Sequence, residues 1–217
     1  MTRASRLCGL ILAAGESSRM GTDKALLPWP PVPQGTVASS GHSLLSAAIL
    51  AFKSFTQSVV VVAGKNANNI APVVSANGAL LVRNPAPERG QFSSLQVGLR
   101  EVLARGYDAA MIVPVDCPPL SAATLERLCA SFEQALSVGK WAVAPENNGK
   151  HGHPLLAGRA LIEAFLQAPS TSNARAVKST CVQNIEYIPV PDALVRADVN
   201  TPEEYAALAA QANPASR

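Results

Sequence analysis

Short apolar runs alternate along this chain with longer segments whose apolar residues recur every three or four positions. The short runs, rich in Val, Ile and Leu, predict buried strands at 7–14, 58–63, 80–82, 109–115, 141–144 and 185–190. The longer segments predict helices that begin at Ser43, near Asn66, at Ser93 or Ser94, at Ser121 and at Pro202. This alternation is typical of a three-layer α/β/α domain with a mainly parallel sheet, in which ligands bind beyond the carboxyl ends of the strands.

Composition favours a compact enzyme rather than a nucleic-acid-binding or membrane protein. The 217 residues are 48% hydrophobic, which is enough for a sizeable core and predicts a single domain. The 18 basic and 15 acidic residues leave a net charge of +3, without a basic run, so the small excess suits a polyanionic small molecule better than a nucleic acid. We expect no membrane partner and a cytoplasmic location, because neither an 18-residue apolar span nor a signal peptide is found.

The four cysteines predict free thiols rather than a disulfide framework or a metal site. Cys8, Cys117, Cys129 and Cys181 form no C-x-x-C pair. Unpaired cysteines are typical of a reducing cytosol.

The most informative segment follows the first predicted strand. At Gly15 the apolar run breaks into a loop with small hydroxyl residues, Arg19 and Lys24. A strand that ends in small residues lets backbone N–H groups approach an anion, and the two cations add fixed positive charge. This pattern predicts a triphosphate site; the alternative is an ordinary turn with surface charges.

Neither of two common phosphate-binding motifs describes this loop. A Walker loop has four residues between its glycines and then Lys-Ser/Thr, whereas five residues separate Gly15 from Gly21 and Ala25 follows Lys24. The Gly-x-Gly-x-x-Gly dinucleotide fingerprint is also missing after this strand.

A second candidate is Asp116, which comes directly after the predicted strand 109–115. Its position places a carboxylate at the same sheet edge as the Gly15 loop. Facing a triphosphate, such a carboxylate would be a natural Mg²⁺ ligand. The alternative is that Asp116 only caps the turn into the helix that begins at Ser121.

The first loop closely resembles the signature of the MobA-like nucleotidyltransferases. The matching positions are Leu12 to Gly15, Ser17 to Gly21 and Lys24, and Leu26 to Trp29 is similar to the molybdenum cofactor cytidylyltransferase branch. The resemblance implies a Rossmann-like fold of the nucleotide-diphospho-sugar transferase type. The nucleotide-binding residues it implies in this loop are Leu12, Ala13, Ala14, Gly15, Ser17, Arg19 and Lys24.

Two acidic elements extend the resemblance. The family has Gly-Asp-x-Pro where this chain has Val115, Asp116 and Pro118, so the Asp-x-Pro part is intact. The segment from Ala197 to Glu204 is similar to the family's Asp-Ile-Asp/Asn-Thr-Pro-Glu-Asp element, which implies that Asp198 is a second metal ligand beside Asp116. The cytidylyltransferase branch usually has an acid where this chain has Asn200. By itself this segment is also a good helix start.

The segment Gly90 to Leu95 resembles the family loop that reaches the nucleobase and ribose. The resemblance implies nucleotide contacts from Gly90 and Ser94. The alternative is that Ser94 is only a helix N-cap.

The turn Gly152, His153 and Pro154 is similar to the family's acceptor loop, which would border the pterin phosphate. A structural turn is the alternative. His151 and His153 lack the further ligands that a zinc site needs.

The resemblance implies an enzyme that moves CMP from CTP to the phosphate of the molybdenum-pterin cofactor and releases pyrophosphate. Lys24, Arg19 and Asp116 would be the catalytic residues, with Mg²⁺ between Asp116 and Asp198. A molybdoenzyme or its chaperone is a candidate protein partner. The alternatives are a guanylyltransferase or sugar-phosphate nucleotidyltransferase of the same family, and a non-catalytic nucleotide-binding accessory protein.

Overall fold

The computed structural model describes residues 5–15, 20–31 and 41–212, and an eight-stranded sheet runs through this part of the chain. Its strands are β1 (Leu7–Ala13), β2 (Ser58–Ala63), β3 (Leu80–Arg83), β4 (Ala109–Pro114), β5 (Ala142–Asn147), β6 (Lys150–His151), β7 (Leu155–Gly158) and β8 (Ile185–Pro189). The spatial order is β3-β2-β1-β4-β7-β5-β6, with β8 paired to β5. The pairs β1–β2, β1–β4, β2–β3 and β5–β8 are parallel, whereas β7 runs antiparallel to both β4 and β5, and β6 antiparallel to β5.

Seven α-helices flank this sheet in the described ranges. They are α1 (Leu44–Lys53), α2 (Ala67–Ala76), α3 (Gln91–Ala104), α4 (Ala122–Ser137), α5 (Arg159–Gln167), α6 (Ala174–Thr180) and α7 (Pro202–Ala212). Short 3-10 turns occupy Lys24–Leu26, Pro87–Arg89, Val182–Asn184 and Ala193–Arg196.

Two hydrophobic layers cover the two faces of the sheet. Successive residues of β1 point to opposite sides, so Ile11 joins one layer and Leu10 the other. The first layer buries the apolar faces of α1, α2 and α4, and the second buries those of α3, α5 and α6. The predicted three-layer architecture with a mainly parallel sheet is therefore confirmed.

The segment between His153 and Thr180 contains elements that the hydrophobic pattern did not predict. The strand β7 has only four residues and passes directly into α5 at Gly158, while α6 has only seven residues. Elements this short do not complete enough periods for a pattern to identify them.

The predicted start of α3 at Ser93 or Ser94 was wrong by one turn. The helix begins at Gln91, after Gly90, whose φ of +90° is a conformation that favours glycine. Both serines are buried inside the first turn, where their hydroxyls accept hydrogen bonds from Asn84 rather than capping the helix.

The predicted loop excursion from Pro28 to Gly41 lies mostly outside the described residues, which stop at 31 and resume at 41. Its two ends are held together, because Trp29 N donates to His42 O at 2.9 Å and Leu44 N donates to Leu27 O at 2.8 Å. The chain thus returns to the point from which it left.

All four cysteines are free thiols, as predicted. In the described part of the chain, no helix combines the length and the apolar character that crossing a membrane requires.

Candidate active site

The parallel pairing of β1 with β4 brings two predicted site segments to one sheet edge. Val115 N, just past β4, donates to Leu12 O at 3.0 Å, so the two strands end side by side. A cleft of about 470 Å³, which we call the Lys24 cleft, opens beyond them. Its lining includes seven predicted site residues: Leu12, Ala14, Gly15, Lys24, Gly90, Ser94 and Asp116.

Other predicted loop residues are placed differently or are not described. The side chain of Ala13 is buried, and only its carbonyl takes part, as the acceptor of a hydrogen bond. Ser17 and Arg19 lie outside the described residues, so their predicted roles remain predictions.

A pair of polar side chains positions Lys24. Asp23 caps the 3-10 turn by accepting from Ala25 N at 3.0 Å, and its other oxygen accepts from Asn66 Nδ2 at 2.8 Å. The same Asn66 nitrogen donates to Ala13 O at 3.0 Å. Asn66 therefore connects the end of β1 to the segment carrying Lys24, a role that the sequence analysis missed. Its place at the start of α2, on the same sheet edge, was the available signal.

Lys24 joins the two acidic elements into one group. Its Nζ lies 3.2 Å from Asp116 Oδ2 and donates to Asn200 Oδ1 at 2.8 Å. Asn200 in turn donates from Nδ2 to Asp198 Oδ2 at 2.6 Å. The side chains of Lys24 and Asp116 are only 12% and 26% exposed, so this ion pair is shielded from solvent more than a surface pair would be.

The segment carrying Asp198 is held in place through its backbone and through Val199. Val199 N donates to Asp116 O at 2.9 Å. The Val199 side chain is fully buried in a small cluster with Met20, Leu27 and Leu44, which flank the Lys24 segment. Apolar packing thus fixes the distance between residues 176 positions apart in sequence.

The helix-start interpretation of this segment is correct, and the capping residues are Thr201 and Glu204. Thr201 Oγ1 accepts from Glu204 N at 3.3 Å, and the Glu204 carboxylate accepts from both Asn200 N and Thr201 N. This reciprocal pattern caps α7. The side chains of Asp198 and Asn200 are not used for capping and point into the Lys24 group.

Ser94 lines the Lys24 cleft although it is buried at the base of α3. Asn84 Nδ2 donates to Ser94 Oγ at 2.9 Å and equally to Ser93 Oγ, while Asn84 Oδ1 accepts from Ala86 N at 3.0 Å. Asn84 therefore fixes both the loop and the serine hydroxyl, and the sequence analysis did not identify it.

The predicted acceptor loop borders a second cleft of about 300 Å³, which we call the Asp198 cleft. Asp116, Asp198, Gly152 and His153 all line it, so Asp116 faces both clefts. A side chain at Gly152 would collide with the carbonyl of Val195, and His153 N donates to that carbonyl at 2.8 Å.

Pro154, also predicted to contact the acceptor, is buried and does not line either of these clefts.

The imidazole of His153 is neutral at physiological pH. Burial, together with the nearby charge of Lys178, lowers its pKa to about 4. Its Nδ1 is buried and has no hydrogen-bond partner among the described residues. His153 thus brings a neutral imidazole, rather than a positive charge, to the wall of the Asp198 cleft.

The carboxylates of Asp116 and Asp198 are chemically suited to a hard divalent cation. No group of three or more His, Cys, Asp or Glu side chains with metal-site geometry occurs in the described ranges. A cation bound at these two carboxylates would take its remaining ligands from substrate phosphates and water, as Mg²⁺ commonly does.

Comparison with known proteins identifies the family. Residues 9–184 match the MobA-like NTP transferase domain. The chain is 23% identical to the molybdenum cofactor cytidylyltransferase of Escherichia coli (strain K12), over 90% of this chain and 92% of that protein. It is 34% identical to the molybdenum cofactor guanylyltransferase of Xanthomonas euvesicatoria pv. vesicatoria (strain 85-10), over 63% of this chain and 64% of that protein.

A solved structure shares the fold. Rv0371c from Mycobacterium tuberculosis H37Rv superposes with a TM-score of 0.73 at 24% identity, covering 95% of this chain and 98% of that one. A structure of Rv0371c in complex with manganese gives a TM-score of 0.66 at 19% identity, covering 94% of this chain and 98% of that one.

Replacing Asn200 tests the Lys24 group directly. In Asn200→Asp the amide that donates to Asp198 is lost and two carboxylates face each other. The new carboxylate repels Asp198 but gains an ion pair with Lys24, whose Nζ already donates to Asn200 Oδ1 at 2.8 Å, so we expect little net change in the stability of the metal-free protein. We expect Mn²⁺ to bind roughly fivefold more tightly, since one charge about 4 Å away is worth about 1 kcal/mol even in water. Urea unfolding and electron paramagnetic resonance of free Mn²⁺ measure the two effects. Gln134→Glu, an exposed amide-to-acid change on α4, is the control; equal Mn²⁺ affinity in both variants would contradict the prediction that a cation bound at Asp116 and Asp198 lies near residue 200.

His153 predicts a specific dependence of stability on acid. The pKa of His153 is about 4 in the folded protein and 6.5 in the unfolded chain. Between these two pH values the unfolded chain binds a proton that the folded protein does not, so the free energy of unfolding falls as the pH drops through this range. We expect the wild type to lose about 2 kcal/mol more than His153→Gln between pH 7 and 4.5, because one pKa unit corresponds to about 1.4 kcal/mol. Urea unfolding at both pH values checks this, with His151→Gln at the exposed neighbouring histidine as control. An identical acid loss in the wild type and His153→Gln would disprove it.

Proposed function

Because the chain belongs to the MobA-like NTP transferase family, we propose that this nucleotidyltransferase moves CMP from CTP to the phosphate of the molybdenum-pterin cofactor. The observation that carries the proposal is the convergence of Lys24, Asp116, Asn200 and Asp198 at the end of β1. Two members of this group, Lys24 and Asp116, line the cleft of about 470 Å³ that Ala14 and Gly15 also line.

The transfer needs charge stabilisation and alignment rather than a protein nucleophile. An oxygen of the acceptor phosphate attacks the α-phosphorus of CTP, the bond from that phosphorus to the bridging oxygen breaks, and pyrophosphate leaves with the bonding electrons. A phosphate monoester is already ionised at neutral pH, so no general base is required. Phosphoryl-transfer enzymes of this kind act mainly through positioning and electrostatics.

Each residue of the group has a distinct part in this proposal. The Lys24 ammonium neutralises the negative charge that develops on the phosphoryl oxygens. Asp116 faces both clefts, so it lies where the nucleotide and the acceptor must meet. A Mg²⁺ ion bound by Asp116 and Asp198 would act as a Lewis acid on the α-phosphate. Arg19 is assigned to the β- and γ-phosphates.

The choice of CTP rests on the sequence of two segments. Ala14, where the guanine-using branch usually has glycine, and the Leu26 to Trp29 segment are similar to the cytidylyltransferase branch. Ser94, held by Asn84, supplies a fixed hydroxyl at the cleft for the nucleobase or ribose. GTP is the second candidate, because the relatives include guanylyltransferases as well as a cytidylyltransferase.

Pyrophosphate release tests the proposed reaction. The full chain is incubated with each of the four ribonucleoside triphosphates and Mg²⁺, with and without molybdenum-loaded pterin. We expect release only with the pterin and fastest with CTP, and CTP at a hundredfold excess over its dissociation constant should stabilise the protein by about 2.7 kcal/mol. Faster release with GTP would replace the cytidine assignment. Nucleotide binding without release under any condition would instead support an accessory protein.

Lys24→Ala separates a catalytic role from a binding role. We expect turnover to fall by roughly 10²-fold or more, since the group that stabilises the transition-state charge is lost. Nucleotide affinity, measured by calorimetry, should fall much less. Lys140→Ala, which removes an exposed ammonium bonded to a distant backbone carbonyl, is the matched control. Equal losses of affinity and turnover would make Lys24 a ground-state phosphate anchor only.

A further inference from the structure

A third cavity of about 270 Å³ adjoins the Lys24 cleft, on the side of the sheet covered by α3, α5 and α6. We call it the Lys178 pocket, after a charged residue in its wall. Its apolar lining comes from both sheet and helices: Leu12, Ile112, Leu155, Phe92, Leu95 and Phe165. The polar lining, besides Lys178 and His153, is Arg89, Gln91, Ser172 and Asn173. A small concave site that combines apolar walls with several polar groups suits a compact ring system with a polar edge.

Lys178 brings an unneutralised charge into this pocket. Its side chain is half-buried, and burial lowers its pKa. No described residue accepts a hydrogen bond from its Nζ or forms an ion pair with it, and no acidic side chain lines the pocket. A desolvated ammonium without a partner is costly, so the pocket is suited to a ligand that carries an anionic or strongly accepting group.

A second polar group in the wall also lacks a partner. His153 lines the pocket, and its buried Nδ1 makes no hydrogen bond to the described residues. Buried polar atoms are normally paired. Lys178 and the Nδ1 atom of His153 therefore lie in the wall without partners among the described residues, beside the polar residues Arg89, Gln91, Ser172 and Asn173 and the apolar ones.

The three cavities meet at a common point. Gln91 and Pro114 line the Lys24 cleft, the Asp198 cleft and the Lys178 pocket, and His153 lines the last two. A molecule in the Lys178 pocket can therefore extend a substituent past His153 towards Asp116. In the proposed function the nucleotide binds in the Lys24 cleft, beside Ala14, Gly15 and Ser94. The Lys178 pocket is then free for the acceptor substrate.

We propose that the Lys178 pocket binds the ring system of the phosphorylated acceptor, a flat heteroaromatic group with an anionic or accepting edge that faces Lys178 and His153. This inference rests on the proposed function. Lys178 is then a positioning and specificity residue: it holds the acceptor so that the acceptor phosphate reaches the junction of the clefts, and it does not touch the reacting atoms.

The test compares Lys178→Met with Arg175→Met in the full chain. Arg175 lies on the same helix, is exposed and does not line the pocket. Arg175→Met therefore removes one positive charge from the same helix without changing the lining of the Lys178 pocket. Binding of molybdenum-loaded pterin is measured by fluorescence without nucleotide, and the KM values of pterin and CTP are measured by pyrophosphate release. We expect Lys178→Met to weaken pterin binding and raise the pterin KM by about tenfold or more, as loss of a charged hydrogen bond typically does. The CTP KM should stay within about twofold of the wild-type value.

Lys178→Arg completes the comparison, since it retains the charge and should recover most of the pterin affinity. The thermal shift produced by CTP reports whether each variant is folded. Unchanged pterin binding in Lys178→Met, or a loss confined to CTP, would overturn the inference. Pterin binding that depends on Lys178 without pyrophosphate release would support the pocket and overturn the proposed function. Pyrophosphate release that requires pterin but is unchanged in Lys178→Met would support the proposed function and overturn the assignment of the pocket.

Discussion

The site depends on one ammonium group placed between two distant parts of the chain. Lys24 Nζ contacts Asp116 from the central sheet and Asn200 from the segment before the last helix. Without that positive charge the carboxylates of Asp116 and Asp198 would repel each other at the sheet edge. The apolar cluster around Val199 holds the Lys24 segment and the Asn200 segment next to each other. The polar side chains therefore lose little conformational freedom when they contact one another.

Two asparagines near Lys24 and Ser94 hold the backbone segments of the site together. Asn66 connects the end of β1 to Asp23, and Asn84 connects the loop before α3 to Ser94. An amide donates and accepts at once, so it can join two backbone segments without adding charge to the site. Among the described residues that line the Lys24 cleft, Lys24 is the only cation, beside Asp23, Glu88 and Asp116.

The antiparallel strand β7 makes the side of the sheet edge with the Asp198 cleft and the Lys178 pocket differ from the side with the Lys24 cleft. It inserts between β4 and β5, and the turn before it places Gly152 and His153 next to the Val195 carbonyl. The parallel half of the sheet ends in loops with small residues, which suit phosphates. The half around β7 instead supplies a pocket with both apolar and polar walls, in which Lys178 and His153 Nδ1 have no hydrogen-bond partner among the described residues.

Local pattern was sufficient for the long buried strands, for most of the helices and for the residues that end β1 and β4. These depend on periodicity and on the rule that parallel strands present their carboxyl ends at one edge, so Lys24 and Asp116 could be placed together. Tertiary structure alone decided the rest. The short elements β7 and α6 exist because the layers pack on them, and Ser94 is held by Asn84 rather than capping α3. The hydrogen bond from Lys24 to Asn200 and the pocket around Lys178 both bring together residues that are far apart in the sequence. A local periodic pattern cannot predict such contacts.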